Sequence, residues 1–150
     1  MRIPVLCSLL IATACSSMPA RTSSRADEQA VIDTVQAFFD VIASKDVAAG
    51  ARLTIPDGVF VNIRTENGRQ VVKHFRNAQW LIELPADAHT SREAFDGEPT
   101  VLVHGDVAMV WAPYVFDKDG KRSHTGVDVF NLLRTEEGWQ IAGGAYSVVR

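Results

Sequence analysis

The sequence predicts an α+β domain in which about three N-terminal helices pack on one face of a curved antiparallel sheet. Apolar residues recur at helical spacing near the start of the domain. From residue 91 they alternate instead, and turn signals recur at hairpin spacing. Helices followed by a run of strands are typical of the α+β class. A chain of 150 residues is long enough to bury one core of this kind.

The first helix is predicted over residues 27–44, where the apolar residues share one helical face. These residues are Val31, Ile32, Val35, Phe38, Phe39 and Ile42. A second, short helix is predicted over residues 46–53, with Asp46 as its N-cap. A third is predicted over residues 75–84, and it ends before Pro85 because a proline disfavours helical backbone in the residue before it.

The strands are predicted from residue composition and turn signals. Residues 58–64 are rich in β-formers, and Asn67-Gly68 predicts a hairpin turn into residues 69–72. Five later segments, separated by glycine-containing turns, predict an antiparallel meander: residues 91–95, 100–104, 107–116, 121–134 and 139–149.

Both faces of the predicted strand at residues 121–134 carry apolar side chains. Phe130 and Leu132 lie on one face, whereas Val127, Val129 and Leu133 lie on the other. One helical layer can cover only one face of a sheet. We therefore expect a second subunit to cover the other face, as a homodimer.

The N-terminus predicts export. Arg2 precedes an apolar run at residues 3–14, which is shorter than the roughly 20 residues that a membrane-spanning helix needs and matches a signal peptide. Residues 11–15 resemble a bacterial lipobox, which implies that Cys15 becomes a lipidated N-terminus. Residues 15–27 would then be the lipidated cysteine and a Ser-rich tether, and the domain would span residues 28–150.

The resemblance to bacterial lipoproteins also bears on localisation. It implies a protein anchored to a membrane through Cys15 alone. In a Gram-negative organism Ser16 would permit transfer to the outer membrane. The alternative is an ordinary signal peptide cleaved after Ala14 or Ala20, which would give a soluble secreted or periplasmic protein.

Composition excludes several classes of function. The net charge is −3 and the sequence contains no basic stripe, so nucleic acid is not expected as a partner. Both cysteines lie in the first 15 residues, which excludes thiol catalysis and cysteine-ligated zinc in the domain. The histidines lack metal-ligand spacing, so neither a metal nor a cofactor is expected.

The order of elements resembles the nuclear transport factor 2-like superfamily over residues 28–150. The resemblance is carried by residues 105–147, in which a Trp-containing strand, an Asp-Gly-Lys turn, a His-x-Gly-Val-Asp-x-Phe strand and a Gly-Trp-x-Ile strand follow one another. This block is similar to the SnoaL-like and lumazine-binding branch. It implies a cone-shaped, cystatin-like architecture with a pocket between helices and sheet. The superfamily includes isomerases, dehydratases, epoxide hydrolases and cyclases, so the fold does not determine the function.

Asp128 and His124 are the candidate catalytic residues. They lie on one predicted strand and on one face, but four residues separate them by roughly 13 Å, too far for a direct contact. If Asp119-Gly120 forms a tight turn, Asp128 lies opposite Trp111 and His124 opposite Val115. A slip of one residue would instead bring Tyr114 to His124.

Asp128 among apolar neighbours would have a raised pKa suited to proton transfer; alternatively, it only accepts structural hydrogen bonds. His124 is either a site residue or a solvated histidine at the rim. Large aromatic residues could line a pocket for a flat organic ligand, or could simply form the core. These are Trp80, Trp111, Tyr114 and Phe39.

Three functions remain open. The first is a binding module that holds a small, largely apolar ligand. The second is an isomerase, dehydratase or cyclase that uses Asp128 as acid or base and an aromatic donor to polarise a carbonyl. The third is a scaffold for other envelope components. An open apolar cavity with two converging polar groups would favour the enzyme, whereas a filled cavity would favour the scaffold.

Overall fold

The computed structural model describes residues 24–149. The predicted signal peptide, Cys15 and most of the predicted tether lie outside the described residues, so export and lipidation stay predictions. None of the described helices is long and apolar enough to cross a membrane.

Three helices form close to the predicted positions. Helix α1 spans Arg25–Ser44, and a capping box between Ser24 and Asp27 fixes its start. Helix α2 spans Val47–Leu53, with the predicted N-cap Asp46 accepting a hydrogen bond from the backbone of Ala49. Helix α3 spans Asn77–Glu83 and continues as a 3-10 turn over Leu84–Ala86. It starts two residues later than predicted because Phe75 and Arg76 belong to the preceding strand.

Within residues 24–149, seven strands form one curved sheet. They are β1 (Thr54–Glu66), β2 (Arg69–Arg76), β3 (Ser91–Phe95), β4 (Thr100–His104), β5 (Val107–Lys118), β6 (Lys121–Thr135) and β7 (Gly138–Ser147). Their order in the sheet is β2-β1-β7-β6-β5-β3, and β4 also pairs with β5.

Two connections depart from the predicted antiparallel meander. Strand β7 returns beside β1 and pairs with it in parallel, so the sheet is mixed. Strands β3 and β4 do not form a hairpin with each other. They lie in line along one edge of β5, with β3 on its C-terminal half and β4 on its N-terminal half.

The β5–β6 register corrects both predicted alternatives. The turn at Asp119-Gly120 has positive φ at both residues and pairs Lys118 with Lys121, as expected. A β-bulge then inserts Ser123 into β6, so His124 pairs with Phe116. Beyond the bulge Asp128 lies opposite Ala112 rather than Trp111.

The core lies between α1 and the inner face of the sheet. Val31, Val35 and Phe39 of α1 pack there against Phe130 and Leu132, all of them at most 2% exposed. The outer face of the sheet is different, because it exposes large apolar side chains to solvent. They include Val59, Val61, Ile63, Leu102, Trp111 and Leu133.

Candidate functional site

A cavity of about 580 Å³ opens between the helices and the inner face of the sheet. Its wall is mostly aromatic and aliphatic, with contributions from Phe38, Ile42, Phe60, Trp80, Phe116 and Phe130. Its polar lining includes Arg64, Glu93, Tyr114, His124, Asp128 and Tyr146, together with Glu83, Asp87 and Lys118. A largely apolar cavity with a few converging polar groups is the usual form of a small-molecule site.

The alternation of side chains along the strands places three polar groups in one row on the inner face. Asp128 on β6 pairs with Tyr146 on β7, and Tyr146 pairs in turn with Asn62 on β1. Neighbouring strands lie about 4.8 Å apart, so the row runs roughly 10 Å across the floor of the cavity.

Gly126 makes room for a second tyrosine beside this row. A Cβ at Gly126 would lie 2.1 Å from the Ser147 carbonyl oxygen and 2.7 Å from the ring of Tyr114. The Tyr114 hydroxyl donates to that same carbonyl oxygen over 2.8 Å. Since its proton is used within the protein, Tyr114 has a structural role at the cavity wall.

A pair of carboxyl groups is the most unusual feature of the cavity. Asp128 is 4% exposed, and its Oδ2 has no hydrogen-bond partner among the described residues. Burial raises the pKa of Asp128 to about 7, although a hydrogen bond with Glu93 acts in the opposite direction. Burial and the negative charge of Asp128 raise the pKa of Glu93 well above its usual range. Near neutral pH Glu93 therefore keeps a proton, and Asp128 can exchange one.

Tyr146 presents a hydroxyl proton to the cavity. Its oxygen accepts hydrogen bonds from Asn62 Nδ2 at 2.9 Å and from Arg64 Nη2 at 3.1 Å. Both lone pairs are thus occupied, and the O–H has no acceptor among the described residues. Burial raises the pKa of Tyr146, so the hydroxyl stays protonated at neutral pH and can donate to a ligand.

Four of the six predicted site residues line the cavity. They are Asp128, His124, Trp80 and Tyr114. His124 is half-buried, and its ring stacks on Phe116 at a centroid distance of 4.9 Å.

Trp111 and Phe39 lie elsewhere, which corrects the prediction for both. The β6 bulge pairs Trp111 with Val129, so both point to the outer face of the sheet, where Trp111 is 49% exposed. Phe39 is buried in the core, edge-on to Phe95 and Phe130. Its neighbour Phe38, rotated by one helical position, lines the cavity instead.

Sequence reasoning missed Glu93, Tyr146 and Arg64. The sequence did contain a signal for Glu93. Glu93 lies two residues before Phe95, so both side chains point to the same face of the strand, and a Phe that points into the core implies that Glu93 points inward as well. Within residues 24–149, no cluster of three or more histidine and carboxylate side chains could hold a metal ion.

The carboxyl pair predicts an unusual dependence of stability on pH. A carboxyl whose pKa is raised on folding binds more protons in the folded than in the unfolded state between about pH 4 and pH 7. The free energy of unfolding should therefore fall by about 2–4 kcal/mol as the pH rises through this window. Urea unfolding at pH 5 and pH 8 measures it, and Asp128→Asn should make the slope shallower, with the remaining slope due to Glu93.

Other carboxylates do not obscure this window. The pKa of Asp27 is lowered by its hydrogen bond with Arg134, that of Asp87 by the backbone of His89, and that of Asp119 by the side chain of His89. Stability from a lowered carboxyl pKa is lost only as the pH falls below about 4. A wild-type protein that is equally stable at pH 5 and pH 8 would contradict the assignment of Asp128.

Comparison with known proteins supports the fold and leaves the function open. No protein-family model matches the sequence, and no curated protein is similar enough in sequence to count as a relative. The structure is similar to a nuclear transport factor 2-like superfamily protein from Salmonella enterica serovar Typhimurium. That similarity has a TM-score of 0.68 and 18% identity and covers 83% of this chain and 92% of that one.

Two further solved structures are similar to this chain in fold. A cystatin-like protein of unknown function from Nostoc punctiforme has a TM-score of 0.65 at 11% identity, covering 84% of this chain and 93% of its own. A proposed beta subunit of an aromatic-ring-hydroxylating dioxygenase from Novosphingobium aromaticivorans has a TM-score of 0.66 at 18% identity, covering 84% and 92%. The chain therefore has the nuclear transport factor 2-like, α+β fold that its sequence predicts.

Proposed function

We propose that the cavity binds a small, largely apolar carbonyl compound and that Asp128 transfers a proton at the carbon next to the carbonyl. The observation that carries this proposal is the convergence of Glu93 and Asp128 inside an open apolar cavity. One buried acid would fit a structural role. Two that interact, one holding a proton while the other exchanges it, fit acid–base chemistry near neutral pH.

The reaction needs only groups that the cavity supplies. The ionised Asp128 takes the proton from the α-carbon, and the electron pair of the broken C–H bond forms the C=C bond of an enolate. The enolate oxygen accepts the hydrogen bond of the Tyr146 hydroxyl, which stabilises its charge. If the proton on Asp128 is replaced by one from solvent before a proton returns to the same carbon, the result is exchange; delivery of the proton to another carbon of the conjugated system is isomerisation.

The other two functions make different demands. A binding module needs the cavity but has no use for a carboxyl pair, since burying acidic groups costs free energy. A scaffold needs neither. The open cavity and its interacting pair of carboxyl groups therefore favour the enzyme over both.

Two measurements on the purified protein separate these functions. The fluorescence of N-phenyl-1-naphthylamine rises when this neutral dye enters an apolar cavity, so it reports binding. Deuterium exchange at the α-carbons of 2-tetralone in D₂O, followed by proton NMR, reports proton transfer. Dye binding with exchange above the buffer rate supports the enzyme. Binding without exchange would indicate the binding module, and the absence of both would indicate the scaffold.

We also propose that a second copy of the chain covers the outer face of the sheet. Its exposed apolar side chains, centred on Trp111 and Leu133, are the support for this dimer. Sedimentation velocity should give a dimer for the wild type and a monomer for Trp111→Glu. Ile82→Glu, which changes an exposed residue of α3, should remain dimeric. A monomeric wild type would contradict the proposal.

Export and anchoring through Cys15 complete the proposal. Their support is the N-terminal sequence alone. In this arrangement the domain would act on compounds that reach the cell envelope.

A further inference from the structure

We propose that Arg64 binds an anionic group of the ligand, so that the compounds this cavity takes are small organic carboxylates with an apolar body. The inference rests on the proposed function, because it requires the cavity to be a ligand site. Beyond the proposed function, it specifies the charge of the ligand and the orientation of the ligand in the cavity.

Arg64 is held in place at the cavity wall by two hydrogen bonds. Its Nε donates to Asn62 Oδ1 at 2.7 Å, and its Nη2 donates to the Tyr146 hydroxyl at 3.1 Å. Asn62 is itself 2% exposed, so it is a fixed support. A guanidinium carries five N–H groups, and the other three have no acceptor among the described residues.

Arg64 also has no ion-pair partner among the described residues. Arg76, Arg122 and Arg134 each form an ion pair with an aspartate, but no described carboxylate forms one with Arg64. A partly buried guanidinium without a counter-ion is unfavourable, and a carboxylate that enters the cavity would relieve this cost with charge-assisted hydrogen bonds.

The carboxyl pair does not serve as that counter-ion. The pKa values of Glu93 and Asp128 are raised chiefly by burial, and neither is lowered by the charge of Arg64. Lys118 also lines the cavity, but its charge acts on Asp87 and Asp119. The positive charge of Arg64 therefore remains available to a ligand.

The row of side chains then gives the ligand a direction. A carboxylate on Arg64 would lie next to the Tyr146 hydroxyl, since these two side chains contact each other. Asp128 follows one strand further along the row. The carbonyl oxygen would reach Tyr146 and the α-carbon would reach Asp128, while the negative charge stays away from the carboxyl pair.

Displacement of N-phenyl-1-naphthylamine by two molecules of the same shape tests this inference. The probes are 2-naphthoate, which is an anion, and 2-naphthamide, which is neutral. We expect naphthoate to displace the dye at a concentration about tenfold lower or less, from charge-assisted hydrogen bonds to the guanidinium. Arg64→Gln should remove this preference by weakening naphthoate alone, and Arg64→Lys should keep part of it.

Arg52→Gln is the matched control, because it removes the same charge from an exposed position on α2 and should keep the preference. Equal displacement by both probes in the wild type would overturn the inference, whatever the variants do. So would an unchanged preference in an Arg64→Gln protein that binds the dye normally. If the wild type does not bind the dye, the proposed cavity function itself fails, and the inference fails with it.

Discussion

Replacing Asp128 with asparagine is expected to lower the exchange of 2-tetralone by about 10²- to 10⁴-fold, the usual contribution of a general base. The amide keeps the shape of the side chain but cannot accept the α-proton. Glu93, which holds its own proton, can still donate to the asparagine carbonyl oxygen, so the cavity should keep its form. Dye binding should therefore change little, and NMR of the ketone gives the rate.

Stability distinguishes this loss of chemistry from a loss of structure. The wild-type protein at pH 8 holds a buried negative charge at Asp128, and the asparagine removes it. The free energy of unfolding at pH 8 should therefore stay constant or rise. Asp33→Asn, a change on the exposed face of α1, should leave the rate unaltered. Normal exchange in Asp128→Asn would remove this residue from the mechanism.

The pH profile of exchange follows from the same carboxyl group. Asp128 acts as a base only when ionised, and its pKa is raised to about 7. The rate should therefore rise between about pH 6 and pH 8 and then level off. An unburied aspartate would give a rate that is already constant above about pH 5.

Local sequence patterns were enough to predict the helices and most strands. Helix α1 follows from apolar residues at helical spacing and from Asp27 in its first turn, and both signals lie within 20 residues. The hairpins at Asn67-Gly68 and Asp119-Gly120 follow from residues that tolerate positive φ. Such signals lie within a few neighbouring residues, so they can be recognised in a single sequence.

Long-range pairing was not predictable in this way. The parallel contact between β1 and β7 joins residues more than 80 positions apart, such as Asn62 and Tyr146, and nothing local specifies it. The carboxyl pair depends equally on β3 lying along the edge of β5, which places Glu93 opposite Phe116 and in the wall of the same cavity as Asp128. The site was therefore predicted in part, through Asp128, His124, Trp80 and Tyr114.

One inserted residue explains the largest error in the predicted site. A bulge moves every later pair by one position, and side chains alternate between the faces of a strand. Ser123 in β6 therefore decides that Trp111 faces outward while Ala112 lies opposite Asp128. Position 123 does not carry a glycine, the residue that most often marks a bulge, so no signal for it is present in the sequence.

Replacing Tyr146 with phenylalanine is expected to lower the exchange rate by about 10²- to 10³-fold, the usual effect of removing one donor to a developing oxyanion. The ring stays, so dye binding in the apolar cavity should be retained. The lost group is a hydroxyl that accepts from Asn62 and Arg64 and holds its proton towards the cavity. Removing this hydroxyl should destabilise the negatively charged enolate much more than the bound neutral ketone.

Tyr114→Phe is the matched control, because Tyr114 also lines the cavity but donates its proton to the Ser147 carbonyl oxygen. Its loss should lower the free energy of unfolding by about 1 kcal/mol and leave the exchange rate nearly unchanged. The two tyrosines thus separate a donor to the ligand from a donor to the backbone. If Tyr114→Phe slowed exchange and Tyr146→Phe did not, the oxyanion would lie beside Tyr114, and the orientation of the ligand along the row would have to be reversed.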